Sequence, residues 1–554
     1  MGGKGKGKSG KKPGSRQDQQ QAAARRRAVP QAGAREQPRI PGQGQPVRDV
    51  PLPSAPRAAS GESIAAVRYY ADIAAVRIQD WLGRTPGLIF RRGASALLSK
   101  ATDPGQWDGS LPPKTRWNIE AGHVDGVVSL VADESVAGAD DARKVLEEAA
   151  RHVARRMRAL MPHCSIQAVA GEGPSYAEAY SGMAARRRDG DFLLDWPSAP
   201  PEVILAKPCD QCRLAAATVP NVDVTKDDTL DLCAECGDRL QEAGRTSSTR
   251  ARLEPAPERR LREALKNAGM TVTGFSDTFA EMAAAGRRER DDTPSQVALL
   301  YADGNQVGAF LSKAAGAKDG PAKSEIAPAI EEAAIGALAQ AVRKGFAGND
   351  RPPVLPHLAG GDDLLVSVPA ADAWLFTVTL LSEFGEQIRQ ATSTWPEAIR
   401  KNLPSLSAGL VFHHKTAPFS DVVRLAGEQL RAAKNATAGS EATVAFLDLT
   451  ADGSQPPAGR DPLTLRYLQA SAERFRRTAA LPGSRRATLL DMARRGAWDD
   501  FTDRLADLDS PSLREFAAGP GATPEDVRKT LRGDPAQIAE VRRALDVARH
   551  WEGT

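Results

Sequence analysis

Two adjacent carboxylates stand at the tip of a turn with apolar flanks, Leu358-Ala359-Gly360-Gly361-Asp362-Asp363-Leu364-Leu365. The runs Pro356–Ala359 and Leu364–Val368 predict two short strands, and the glycines between them permit backbone angles that other residues resist. Burying both arms forces the two acids out together at one end. Gly and Asp also favour ordinary turns, so a plain hairpin is the bland reading of the motif taken alone.

The surroundings weigh against the bland reading. Asp303 ends another apolar run, Ala298-Leu299-Leu300-Tyr301-Ala302, and is followed by Gly304-Asn305-Gln306-Val307-Gly308. If this strand neighbours the hairpin, Asp303 lies beside Asp362 and Asp363. Three clustered carboxylates repel one another, and a cation relieves the repulsion. Mg²⁺ or Mn²⁺ suits such oxygen donors, which it commonly shares with substrate phosphates. Two such ions can hold the attacking and leaving oxygens of a phosphoryl transfer. Further along, His413-His414-Lys415-Thr416-Ala417-Pro418 follows a strand, and Lys434 ends a helix containing Leu425, Ala426, Leu430 and Ala433. A lysine there can meet a triphosphate as a point charge. Singly, Lys434 reads as a solvated helix-end lysine and His414 as a surface turn residue. In this order after an acidic turn, Gly304, Gly360, Gly361, His414, Lys415 and Lys434 form a candidate nucleotide site.

Four of the five cysteines form two C-x-x-C pairs, Cys209/Cys212 and Cys233/Cys236, twenty residues apart. That spacing suits tetrahedral Zn²⁺ with no open coordination position, which makes the ion structural. A redox pair or free thiols are the alternatives. Cys164 stands alone and reads as a small buried hydrophobe.

The chain has 554 residues, enough for several cores, and a net charge of +4. Residues 1–58 hold thirteen Lys or Arg against three Asp or Glu, with no aromatic residue. This arm is too polar to build a core, and reads as disordered. It is either a nucleic-acid-binding segment or a solubilising tail. No apolar run is long enough to span a membrane, and no apolar stretch follows the N-terminal charges as in a secretory signal. With the thiol usage, this predicts a cytoplasmic protein.

Element order predicts an α+β chain. Between about residues 67 and 170 it runs strand, helix, strand, strand, helix, strand, the ferredoxin-like arrangement. The helix at 140–160 places Leu146, Ala149, Val153, Met157 and Leu160 on one face. The same order returns after residue 297. The expected division is a basic arm (1–58), a first sheet domain (59–200), a zinc insert with helical connector (201–290), a second sheet domain carrying the acidic turn (291–455) and a helical C-terminal domain (456–554) without strand signal.

The succession of Asp303-Gly304-Asn305-Gln306-Val307-Gly308, Gly360-Gly361-Asp362-Asp363, His414-Lys415-Thr416-Ala417-Pro418 and Ala432-Ala433-Lys434 resembles the second palm domain of the large subunit of type III CRISPR effector complexes. That family is related to GGDEF and class III nucleotidyl cyclases. Residues 72–101 resemble the start of its first palm, and the likeness extends over roughly 64–554. It implies two tandem ferredoxin-like palm domains, a Zn-binding insert between them and a C-terminal helical domain. It also implies a metal-dependent nucleotidyltransferase that makes cyclic oligoadenylates from ATP inside an RNA-guided antiviral complex, with other type III subunits, guide RNA and target RNA as partners. Asp303 with Asp362 or Asp363 would hold the metals, Gly360 and Gly361 would admit the nucleotide, and Lys434 would contact the triphosphate.

Two departures from the family are visible. Many members carry a second aspartate two residues after the first, where this chain has Asn305. Members often begin with an HD nuclease domain, for which there is no His-Asp dipeptide and no room before Ile64, so no DNA cleavage is expected. The first palm's turn, Gly122-His123-Val124-Asp125-Gly126, lacks paired carboxylates, so that palm is expected to bind a nucleotide or to be structural, without chemistry of its own. An inactive scaffold subunit, a stand-alone defence cyclase and a GTP-using cyclase remain alternatives, the last disfavoured by Asp-Asp-Leu where Asp-Glu-Phe would stand.

Overall fold

The computed structural model of the chain describes residues 67–103, 105, 111–121, 126–136, 138–199, 206–225, 228–243, 256–286, 295–315, 321 and 323–551. The basic arm over 1–58 and residues 122–125 of the first hairpin turn lie outside the described residues.

The N-terminal sheet is built from β1 (Arg68–Val76), β2 (Thr115–Trp117), β3 (Val127–Ala132), β4 (Ser165–Gly173) and β5 (Leu194–Trp196). Its spatial order is β2-β3-β1-β4-β5, antiparallel throughout. Helices α1 (Ile78–Gly83), α2 (Leu88–Thr102), α3 (Ala139–Leu160) and α4 (Tyr176–Asp189) complete this region. The stripe Leu146, Ala149, Val153 and Met157 on α3 is fully buried, as its spacing predicts. Helix α4 and strand β5 go beyond the predicted elements. The α4 sequence, YAEAYSGMAARRRD, carries little 3.6-residue periodicity, and β5 is three residues long.

A hairpin, β6 (Val219–Thr225) and β7 (Asp228–Leu232), and helix α5 (Ala234–Glu242) form the cysteine-bearing insert. Two connecting helices follow, α6 (Ala256–Asn267) and α7 (Phe279–Ala285). Arg92 of α2 fastens α6 to the first sheet by paired hydrogen bonds to both Glu258 oxygens, each 2.5 Å, and by an ion pair to Asp277.

The second sheet begins with β8 (Gln296–Gly304). Then come α8 (Val307–Ala315), α9 (Lys323–Gly345), the hairpin β9 (Leu355–Gly360) and β10 (Asp363–Pro369), α10 (Ala373–Ala391), the short α11 (Glu397–Arg400), β11 (Leu406–His414), α12 (Phe419–Ala436) and β12 (Thr443–Asp448). Helix α13 (Leu449–Asp452) leads to β13 (Leu463–Thr464), and the sheet order is β13-β12-β11-β8-β10-β9. In both sheets the hairpin lies on one side of the first strand and the returning strand on the other, the ferredoxin-like order.

Strand β8 is buried on both faces. Ala298, Leu300 and Ala302 meet α9 and α10, while Val297, Leu299 and Tyr301 face α12 and α7. Each fully buried Leu on such a strand contributes roughly 1.5–3 kcal/mol. Helix α12 lies very close to β11 because residue 409 is glycine. A Cβ there would overlap the Ala426 carbonyl and the Leu430 amide.

Over 456–554 the chain is helical, as expected, with one correction. β13 is a strand, antiparallel to the start of β12. Two residues carry no period-two signal, and the open edge of β12 recruits them. Seven helices follow: α14 (Leu465–Ala470), α15 (Ala472–Ala479), α16 (Gly483–Arg494), α17 (Trp498–Ala506), α18 (Pro511–Ala518), α19 (Pro524–Gly533) and α20 (Pro535–Ala548). Helices α16 to α20 pack around Leu489, Phe501, Leu505, Leu531 and Leu545, while Leu468 of α14 and Phe475 of α15 join the core of the second sheet. No helix among the described residues is long and apolar enough to cross a membrane.

Candidate active site and cysteine centre

Pairing in the second sheet brings the acids together. Leu364 on β10 lies opposite Ala302 on β8. One step further along both strands, Asp363 faces Asp303. Alternation puts both on the side of Tyr301 and Leu365, toward α12 and the first sheet. The hairpin closes through two residues, with Gly360 paired to Asp363 and Gly361 left-handed at φ 61°. Glycine at the first loop position suits this turn. A Cβ at Gly304 would overlap the Asp362 carboxylate and Val307, so the bare backbone of Gly304 seats Asp362 beside the end of β8.

Burial is the first cause of the shifts at these acids, and the Asp303 charge the second. Asp362 is pushed up to about 6 and Asp363 to about 8. The Tyr301 phenol is raised by burial and then by Asp363, Asp303 and Asp362. Lys434, in the last turn of α12, pairs with the Asp303 carboxylate and donates to the Gly304 carbonyl at 2.8 Å. Its place at a helix C-terminus also suits a cation. Nothing stands over Gly360 or Gly361 where a Cβ would project. The three aspartates offer a half-buried set of hard oxygen donors whose repulsion one lysine only partly relieves, which fits Mg²⁺ or Mn²⁺. They are more loosely gathered than the cysteines described below, since Asp303 is drawn to Lys434.

The structure separates His414 and Lys415 from this group, contrary to the sequence grouping. His414 pairs with Gln296 at the start of β8, whereas Gly304 at its end pairs with Leu406. Eight residues of strand put roughly 27 Å between the two ends. His414 Nδ1 lies 2.7 Å from the Thr416 hydroxyl, and the Lys415 amide bonds the Ser295 carbonyl at 2.8 Å. Neighbourhood along the chain after a strand does not say at which end of the sheet that strand finishes.

Asn305 is 3% exposed and acts as a brace. Its amide group donates to Ser405 Oγ (2.8 Å), Ser407 Oγ (3.0 Å) and the Glu441 carbonyl (3.2 Å). An aspartate could not donate to that carbonyl. The sequence departure therefore has a structural reason of its own.

Sequence reading did not find the other wall of the cleft. A cavity of about 390 Å³ lies between the sheets, lined by Tyr301, Gly360 and Asp363 on one side and Arg77, Ser95 and Ser99 on the other. Arg77 precedes α1 in a left-handed conformation (φ 55°). Only the packing of one sheet region against the other reveals these residues. Nearby, the Arg91 guanidinium lies 4.0 Å from the Phe419 ring centroid, and burial, then Arg239, pushes it down to about 9. Phe419 also packs against His357 and His413, both lowered chiefly by burial.

The four cysteines converge as their spacing predicts. One ligand atom from each of Cys209, Cys212, Cys233 and Cys236 lies within 4.8 Å of the others, close enough to share a metal ion such as zinc. This is the one such group of His, Cys, Asp or Glu among the described residues. The Cys212 and Cys233 sulfurs are 3.8 Å apart, too far for a disulfide. The next residues tie this centre to the first sheet. Glu235 accepts from Trp81 Nε1 (2.7 Å) and Arg239 (2.6 Å) and pairs with His163. Cys164 is buried and outside the cluster, its thiol pushed up to about 12 by burial.

Residues 296–442 match the family described as Cas10/Cmr2, second palm domain. No curated protein matches the chain. Among solved structures, the Csm1-Csm4 cassette in complex with pppApA is similar, at 15% identity over 88% of this chain and 69% of that one, with a TM-score of 0.48. The cassette in complex with cA4 gives 15%, 86%, 70% and 0.46. The Csm1-Csm4 subcomplex in the type III-A CRISPR-Csm interference complex gives 15%, 86%, 70% and 0.42.

Proposed function

We propose, from the premise that residues 296–442 are a second palm domain of the Cas10/Cmr2 kind, that this chain joins ATP into cyclic oligoadenylates within a type III CRISPR-type complex. The observation that carries the reading is the register that sets Asp363 across from Asp303, with Asp362 seated over Gly304. Asp303, Asp362 and Asp363 would hold Mg²⁺ or Mn²⁺, which when bound neutralises them and stabilises charge on phosphate oxygens.

The rest of the work falls to the chain itself. The inter-sheet cavity holds nucleotide against Gly360, where no side chain intrudes. Lys434, beside Asp303, supplies a point charge to the triphosphate. Arg77, Ser95 and Ser99 close the far wall and limit water. In the reaction a 3′-hydroxyl oxygen bonds to the α-phosphorus of a second ATP, the bond from that phosphorus to pyrophosphate breaks, and the hydroxyl proton passes to solvent. Guide RNA with target RNA is the activating partner. His414 and Lys415 are left out of the site by their position. The four cysteines hold a structural Zn²⁺.

A scaffold role without catalysis is the second reading, and the Lys434–Asp303 pair favours it, because the lysine occupies a carboxylate that the cation needs. Incubation with ATP, Mg²⁺ or Mn²⁺ and cognate RNA complex separates the two. Pyrophosphate release with adenylate oligomers, abolished by Asp362→Ala with Asp363→Ala, supports synthesis. An inert wild-type chain under all these conditions supports the scaffold, and a preference for GTP overturns the substrate.

A further inference from the structure

A second cavity, of about 570 Å³, lies at the other edge of the second sheet, against the C-terminal helices. It is walled by Phe446 of β12, Leu463 of β13, Trp498 of α17, Leu531 of α19 and Ile538 of α20. Two strands, β11 and β8, lie between β12 and the hairpin strand β10, so this cavity is separate from the nucleotide cleft. Its volume is that of a pocket for a small organic molecule, of the order of 300–1,000 Å³.

Two residues of the wall each bury a polar atom that lacks a hydrogen-bond partner, Arg460 its Nε and Thr502 its Oγ1. The other guanidinium nitrogens of Arg460 pair with Asp452 and with Asp546 (2.8 Å), and its plane lies over Phe446. Thr502 is 1% exposed. Buried helical threonines elsewhere satisfy their hydroxyls on the carbonyl four residues back, at 2.7 Å for Thr377 and Thr392 and 2.9 Å for Thr478. Thr502 does not. An unmade buried hydrogen bond costs roughly 1–3 kcal/mol unless something else makes it.

We propose that this cavity binds a small aromatic molecule carrying a hydrogen-bond acceptor, which Arg460 Nε and the Thr502 hydroxyl engage. The apolar wall and the half-exposed Trp498 indole at its edge suit a ring. A polyanion is disfavoured, because the nearby guanidiniums are already engaged: Arg532 with Asp503 (2.8 Å), Arg543 with Glu540 (2.7 Å) and Arg542 with the Ala458 carbonyl (2.9 Å). Asp461, Asp499 and Asp546 line the same cavity and would repel it.

The test is titration of the full chain with 6-propionyl-2-(dimethylamino)naphthalene, a neutral aromatic probe with one carbonyl acceptor, followed by fluorescence. Saturable binding at one site per chain is expected, undisturbed by ATP. Ile538→Trp, which fills the cavity, should weaken it at least tenfold. Thr502→Val keeps the shape, removes the hydroxyl, and should weaken it roughly 2- to 10-fold with the unfolding midpoint held or raised. Equal binding by wild type and both variants, or displacement of the probe by ATP, overturns the proposal.

Discussion

The two sheets have the same ferredoxin-like strand order but place their acids differently. In the first, Asp72 sits mid-strand, 3% exposed, accepting from Ser129 Oγ (2.6 Å) and Tyr176 OH (2.9 Å). The end of β1 is Ala74-Ala75-Val76, and the Ala75 amide bonds the Gly126 carbonyl across the hairpin. In the second, the corresponding strand end carries Asp303, with Asp362 and Asp363 next to it. A carboxylate satisfied by hydroxyls inside a sheet holds structure. At a strand end, burial and then the Asp303 charge raise the proton affinity of Asp362 and Asp363, which remain reachable by cations and ligands.

The largest expected contrast is between Asp303→Ala and Asp72→Ala. If the cyclase reading holds, Asp303→Ala lowers oligoadenylate formation by roughly 10²–10³-fold, a loss typical of removing charge stabilisation at a reacting phosphate. Its stability changes by under about 1 kcal/mol, since the half-buried Lys434 can turn to water. Activity retained in Asp303→Ala would erase the distinction between the sheets.

Zinc comes next. Chelation should release roughly one Zn²⁺ per chain and expose residues 206–243 to proteolysis. Because Glu235 holds Trp81, the first sheet region should register the loss as a change in Trp81 fluorescence, read against a Trp81→Phe control, while the core of the second stays intact. Metal content well below one per chain after gentle purification contradicts the centre.

Asp72→Ala is third. It leaves the Tyr176 and Ser129 hydroxyls short of an acceptor, at a cost of roughly 1–3 kcal/mol measured by denaturant or thermal unfolding. A fall in activity beyond that explained by unfolding would give the first sheet a chemical role.

The last effect is the pH response of the shared interface. Burial lowers His413 to about 4, below its ordinary value of 6.5. Its contribution is therefore complete above about 6.5 and is lost as pH falls toward 4. The loss approaches about 1.4 kcal/mol per pH unit within that window. His413→Asn retains an amide in place of Nδ1 and removes the titration, so its unfolding midpoint should fall less than wild type between pH 7.5 and 5. Parallel curves would show that His413 does not carry the effect.

Much of this was legible beforehand. The hairpin at Gly360–Asp363, the strand ending at Asp303 and the α3 stripe are local patterns of period two or 3.6. The four cysteines were equally plain, since metal-ligand spacing is a property of the chain. Weakly patterned elements such as α4, β5 and β13 were not, because neighbours rather than their own residues fix them.

The sequence by itself determined which residues can carry chemistry here: three aspartates at strand ends, four paired cysteines and a lysine ending an amphipathic helix. Tertiary structure alone decided which of them meet. It brought Lys434 onto Asp303 through the close approach of α12 at Gly409. It sent His414 and Lys415 to the far end of the sheet, turned Asn305 inward as a brace, and set Arg77 across the cleft from Asp363. The reason is physical. Composition and spacing fix what a side chain can do, whereas strand register and the packing of one layer on another fix where it acts, and those arise from contacts far apart in the chain.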